Sequence, residues 1–119
     1  MIIISGPHLW KLDGNTLLNK EGLWMSDDRW NFKTVKVRFD GELKTCIENI
    51  NKTKVLGTKN KSKVILEKFE EDKHGQLWKK GEPNAEGYFT LENFKGSEVM
   101  TATSSTTLEL KGKINKHTT

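Results

Sequence analysis

Apolar residues in this chain alternate with polar ones over short runs, and turn-forming residues separate the runs. Leu12 is followed by Asp13-Gly14-Asn15 and Leu17, then by Asn19, Glu21-Gly22 and Leu23. The rhythm continues through Val35, Val37, Phe39, Asp40-Gly41, Leu43, Cys46 and Ile47. A period of two puts one face of an extended segment in a core and the other in water, so the runs predict strands joined by tight turns. No window carries a helical period long enough to predict a helix, and the fold class that follows is all-β.

The strand-turn-strand units can be laid over one another. Cys46-Ile47-Glu48-Asn49 matches Thr90-Leu91-Glu92-Asn93, Val55-Leu56-Gly57-Thr58 matches Val99-Met100-Thr101-Ala102, and Val64 and Leu66 match Leu108 and Leu110. The correspondence holds without a gap. A shorter copy starts at Thr16-Leu17-Leu18-Asn19 and continues in Gly22-Leu23-Trp24-Met25-Ser26, two residues shorter in the turn and lacking the hairpin that the other two carry. Units that cannot bury their own faces must stack on one another, so matching apolar positions are expected to layer around a pseudo-threefold axis. An Asn at a strand end bonds turn backbone and tolerates left-handed geometry, which is the expected role of Asn19, Asn49 and Asn93, with a ligand contact as the alternative.

At 119 residues, with 34% hydrophobic and 30% charged, the chain has the size and composition of one folded domain. Trp10, Trp24, Trp30 and Trp78 supply core bulk. The net charge of +4 comes almost wholly from Lys interspersed with acids, and Arg occurs only at Arg29 and Arg38. Nucleic-acid readout relies on Arg forks and clustered basic stripes, so no specific nucleic-acid partner is expected. The single Cys46 excludes an internal disulfide and is expected to be a buried structural thiol. Met1-Ile2-Ile3-Ile4-Ser5 is too short an apolar stretch for a signal peptide and no segment could span a bilayer, so a cytoplasmic, membrane-free, monomeric domain is expected. The tail from Lys113 to Thr119 is polar.

Gln76-Leu77-Trp78, with the repeats around it, resembles the Q-x-W repeat of ricin B-type lectins. His8-Leu9-Trp10 and Asp28-Arg29-Trp30 resemble altered copies in which His8 and Asp28 replace the Gln. The resemblance implies a β-trefoil: a single domain over residues 1–119 with units at about 8–39, 42–80 and 86–114, the first one shortened. In such lectins an active repeat resembles a sugar site built from an Asp in the second strand, an aromatic platform after the third and a polar residue before the Gln. The matching Asp positions are Met25, Gly57 and Thr101, the platform positions offer Glu67 with Phe69 close by and Lys111, and Gly75 stands before Gln76. The usual galactose site is therefore expected to be absent.

The function expected from this is that of a non-catalytic recognition module, a protein-interaction or scaffold domain. Ricin-like repeats also occur inside larger intracellular proteins, including doublecortin-domain microtubule-associated proteins, and Lys59, Lys61, Lys63, Lys79 and Lys80 would suit an acidic partner. The alternative is a carbohydrate-binding lectin with an altered site around Glu67, Phe69, His74 and Gln76. No catalytic residues, metal ligands or cofactor are expected: His8, His74 and His117 are far apart and lack ligand spacing, and Asp27-Asp28 and Glu70-Glu71-Asp72 lack the alternation of a calcium loop.

Overall fold

The computed structural model describes residues 6–38, 41–71 and 73–112. The apolar start, Phe39, His117 and the polar tail lie outside the described residues. The chain is all-β, with strands β1 (Trp10–Asp13), β2 (Thr16–Asn19), β3 (Trp30–Lys36), β4 (Leu43–Asn49), β5 (Lys54–Lys59), β6 (Lys63–Glu67), β7 (Lys79–Lys80), β8 (Leu91–Glu92), β9 (Glu98–Ala102) and β10 (Leu108–Gly112). One turn of 3-10 helix, His74–Gln76, interrupts them. No helix among the described residues is long and apolar enough to cross a membrane.

Strands β3 to β10 form one sheet in the order β3-β4-β5-β6-β10-β9-β8-β7, and β1 pairs with β2 beside it. The repeat in the sequence reappears as a repeat in register. Glu48 faces Val55 and, at the matching place, Glu92 faces Val99. Asn49 Oδ1 accepts the Lys52 N–H at 3.0 Å, and Asn93 Oδ1 accepts those of Ser97 and Glu98 at 3.0 and 3.1 Å. Asn19 instead donates from Nδ2 to the Pro7 carbonyl at 2.9 Å. All three asparagines therefore serve backbone or turn geometry, as a short amide at a strand end is suited to do.

Trp10, Trp30 and Trp78 are nearly or wholly buried and each closes against a matching strand start. Trp78 exchanges backbone bonds with Thr45 at 2.7 and 2.8 Å, and Trp10 exchanges them with Phe89 at 2.9 and 2.8 Å. The Trp30 N–H reaches the Asn15 carbonyl at 2.8 Å, while Asn15 Nδ2 donates to the Trp30 carbonyl at 3.1 Å, the side chain standing in for the second backbone donor. The indoles repeat the pattern: Trp78 Nε1 donates to the Leu56 carbonyl at 3.1 Å and Trp10 Nε1 to that of Met100 at 2.9 Å, and Leu56 and Met100 are matched positions in the sequence. Trp10 thus belongs by its bonds with residues 89–102, at the far end of the chain.

Residues 20–29 form no strand, so the shortened copy lacks the hairpin that β5-β6 and β9-β10 supply elsewhere. Those two hairpins pair with each other instead, with the matched residues Val64 and Leu108 directly opposite. Trp24 fills the remaining space and packs on Trp10 and Trp30 at 5.5 and 5.7 Å between ring centroids. Leu17, Ile47 and Leu91, also matched in sequence, are all buried in the same cluster. Cys46 is buried too, and desolvation pushes its thiol up to about 11, which leaves it protonated and a poor nucleophile at neutral pH.

The indole bonds of Trp10 and Trp78 are buried, whereas that of Trp30, to Ser26 Oγ at 3.3 Å, is only partly so. Replacing Trp10 or Trp78 by Phe removes the donor from a buried carbonyl and leaves a small void. Each is expected to cost about 2–4 kcal/mol in urea unfolding, and Trp30→Phe distinctly less. Equal losses at the three positions would mean that the buried bond is not the deciding term.

Candidate functional site

Glu67, Phe69, His74 and Gln76 flank the turn between β6 and the 3-10 helix, and the structure sends them three ways. Gln76 is completely buried. Its Oε1 accepts the Glu70 N–H at 2.9 Å, and its Nε2 donates to the Lys68 carbonyl and to Glu67 Oε2, both at 2.8 Å. The other oxygen of Glu67 takes Lys73 Nζ at 3.1 Å, and Lys73 also reaches Glu70 at 3.1 Å, its ammonium held above the usual range first by Glu70 and then by Glu67. Glu67 and Gln76 are therefore spent on holding residues 67–76 together, because a buried amide must satisfy its donors and acceptor locally.

Gly57 stands where the resemblance would place an Asp, and the space over it is already taken. A Cβ there would land on Glu67 Oε2, with Glu67 Cδ at 2.7 Å and Gln76 Cγ at 3.1 Å. The carboxylate comes from β6 rather than β5, and it lies over the glycine with both oxygens engaged.

Phe69 is 43% exposed and borders a cleft of about 260 Å³ with Val35, Val37, Glu71 and Leu77. His74 belongs elsewhere: its ring lies flat on Phe94, with 4.0 Å between centroids and 10° between planes. The pair borders a second cleft, about 380 Å³, into which Thr58, Lys61, Asn93 and Lys95 also open. No pattern along the chain points to Phe94, since the β8-β9 turn is near His74 only in space.

A third cleft, about 370 Å³, lies where the hairpin is missing, walled by Trp24, Trp30, Leu56 and Leu108 under the exposed Met25. Asp28, the counterpart of Gln76, borders it. A bond from Asn49 Nδ2 at 2.8 Å and then Lys52 Nζ at 3.3 Å hold its carboxyl below the usual range. The other matched Asp position, Thr101, is buried and donates from Oγ1 to the Val99 carbonyl at 3.1 Å. His8, the remaining counterpart of Gln76, has a buried Nδ1 with no hydrogen-bond partner, and burial lowers the pKa of the ring. Among the described residues no three His, Cys, Asp or Glu side chains converge closely enough to hold a metal ion.

Comparison with known proteins is silent: no protein-family model, no curated protein and no solved structure matches the chain.

Two outcomes are expected from these contacts. Gly57→Ala forces the Glu67 carboxylate off its place and should destabilise the fold by about 1–3 kcal/mol, and much of that loss should return when Glu67→Ala is added. Additive losses in the double variant would show that the clash lies elsewhere. Because His8 has its pKa lowered on folding, the unfolded chain takes up the proton first as pH falls. The stability that neutral His8 permits is complete above the ordinary histidine value near 6.5 and is lost progressively below it. His8→Gln should flatten that part of a stability-against-pH curve, and an unchanged curve would remove His8 as its cause.

Proposed function

We propose that the chain is a divergent ricin B-like β-trefoil serving as a non-catalytic recognition module, one that docks a protein rather than a galactose-type sugar. The observation that carries the second half is the Glu67–Gln76 contact over Gly57: the pocket of the second unit is filled by its own side chains, which are bonded to each other and to Lys73. A sugar site needs unspent acceptors aimed at hydroxyls and an aromatic face beside them. Here the acid and the amide are already paired, and Phe69 borders a different cleft from His74.

The trefoil itself is supported by the three closing tryptophans. On this reading the third unit, which opens at Phe89, is closed by His8-Leu9-Trp10 from the beginning of the chain. The first unit runs from Asn15 to Trp30 and the second from Thr45 to Trp78. Matched carbonyls at Leu56 and Met100 receive the indole N–H groups of the second and third units, and in the first unit Ser26 Oγ takes that role. An open cleft with exposed Phe69 at its rim, and Leu43 at 69% exposure, offers the apolar surface that protein docking uses.

The deciding experiment is a heteronuclear NMR titration of the labelled chain with galactose, lactose and a mixed glycan pool at millimolar concentration. The expected result is no localised shift at Gly57, Thr58, Glu67 or Gln76. Saturable shifts there would overturn the protein-docking reading and make the domain a lectin with an altered site.

A further inference from the structure

Strand β3 is held on one side only. It runs seven residues, whereas β1 and β7, which start at or just after the matching Trp10 and Trp78, run four and two. It is an end strand of its sheet and pairs with β4 along its whole length. The Trp30 N–H points away from β4, to the Asn15 carbonyl, while the Arg29 carbonyl and the Val37 N–H point the other way, to Ile50 and Glu42. Backbone groups alternate in direction along a paired strand, so the N–H and C=O groups of Phe32, Thr34 and Lys36 face outward with those of Trp30. Among the described residues none of these groups has a hydrogen-bond partner. Thr34 and Lys36 are exposed, which leaves the row open to solvent.

A row of unpaired donors and acceptors at strand spacing matches one kind of ligand, the backbone of another extended chain. The same strand borders an apolar hollow, because Val35 lines the cleft of about 260 Å³ that it shares with Val37, Phe69 and Leu77. A residue opposite Val35 on an added strand would have its Cβ about 5 Å from that of Val35, within reach of the cleft. Small-molecule pockets run to about 300–1,000 Å³, and this smaller hollow suits a single side chain. Charge does not select the occupant, since Lys33 and Lys36 are accompanied by Glu48 opposite Asn31 and by Glu71 on the cleft wall.

A second copy of β3 matches this edge poorly. An antiparallel twofold pairing centred on Thr34 uses every outward group, with Phe32 opposite Lys36 of the other copy, but it sets a lysine, Lys33, opposite Val35 at the cleft. Centring the pairing on Val35 brings an apolar residue to the cleft and leaves Phe32 opposite Arg38, beyond the end of the strand. We infer that β3 is the docking edge for an extended segment of another protein, added as a strand beside Phe32, Thr34 and Lys36, with an apolar side chain opposite Val35 entering the cleft beside Phe69. The inference rests on the protein-docking reading and names the surface and the form of the partner.

The probe is an acetylated, amidated heptapeptide in which Thr and Leu alternate, with a second peptide carrying Ser in place of Leu. In the free chain, amide hydrogen exchange is expected to be slow at Asn31, Lys33 and Val35 and fast at Phe32, Thr34 and Lys36. Slow exchange at all of them would show the edge already covered and overturn the proposal. Saturation with the Leu peptide should slow the second set and shift the methyl signals of Val35, Val37 and Leu77, and the Ser peptide should bind about tenfold more weakly. Thr34→Pro removes an outward donor that has no partner, so the domain should stay folded, and its affinity for the Leu peptide should fall about tenfold. Phe69→Ser leaves β3 untouched and should weaken binding to a similar degree, with protection at saturation still at Phe32, Thr34 and Lys36. Undiminished affinity in both variants, or protection confined to other strands, overturns the site. If raising the concentration of the chain alone protects the same three amides, a second copy is the occupant and the proposal falls. If the peptide leaves them unprotected the proposal also falls, while the protein-docking reading still stands or falls by the sugar titration.

Discussion

An indole N–H buried away from water must be given an acceptor, and the acceptors offered to Trp10 and Trp78 are backbone carbonyls at matched places in β9 and β5. That requirement fixes more than two hydrogen bonds. It sets the distance between the closing segment of each unit and its second strand, and so aligns the backbone exchanges between Trp78 and Thr45 and between Trp10 and Phe89. With those strands placed, Ile47, Leu91 and Leu17 are brought into one cluster, and the hairpins above them have a floor on which to sit. The cost of leaving such a donor or carbonyl unpaired exceeds the worth of most single contacts in a domain of this size, which makes the tryptophans the frame and the turns the variable part.

The stretch without a strand, residues 20–29, shows how much irregularity that frame tolerates. Where the shortened unit has only loop, its two intact neighbours zip together through β6 and β10, and Trp24 supplies bulk that a strand would otherwise provide. What is not restored is the surface. A cleft remains beneath Met25, and the hairpin contacts that a symmetric arrangement would give are replaced by a pairwise one.

Much of the architecture was legible in the chain. The alternation of apolar residues gave strands, and Asn49 and Asn93 were correctly placed at turn entrances because a short amide at that offset has a local job. The buried thiol of Cys46 was legible as well, from its place in an apolar-alternating run. The candidate site was far less legible. Glu67, Phe69, His74 and Gln76 are near one another in sequence, yet a strand, a turn and a single helical turn aim them at different surroundings. His74 stacks on Phe94, which no local pattern could supply, and the occupant of the space over Gly57 comes from a cross-strand approach. Spacing reports on periodic structure well and on convergence of side chains poorly, because convergence depends on the tertiary path.

The pairing of Trp10 with Phe89 has a consequence for assembly. Residues that stand 79 positions apart must meet before the third unit is closed, so until the first strand docks, the backbone of Phe89 and the carbonyl of Met100 form an open edge. The identical segment of another molecule carries the identical donors. What keeps the pairing within one molecule is tethering, which holds the segment at an effective concentration far above that of free copies. At high protein concentration during refolding that advantage shrinks, and exchange of the leading strand between molecules becomes the natural route by which this topology misassembles.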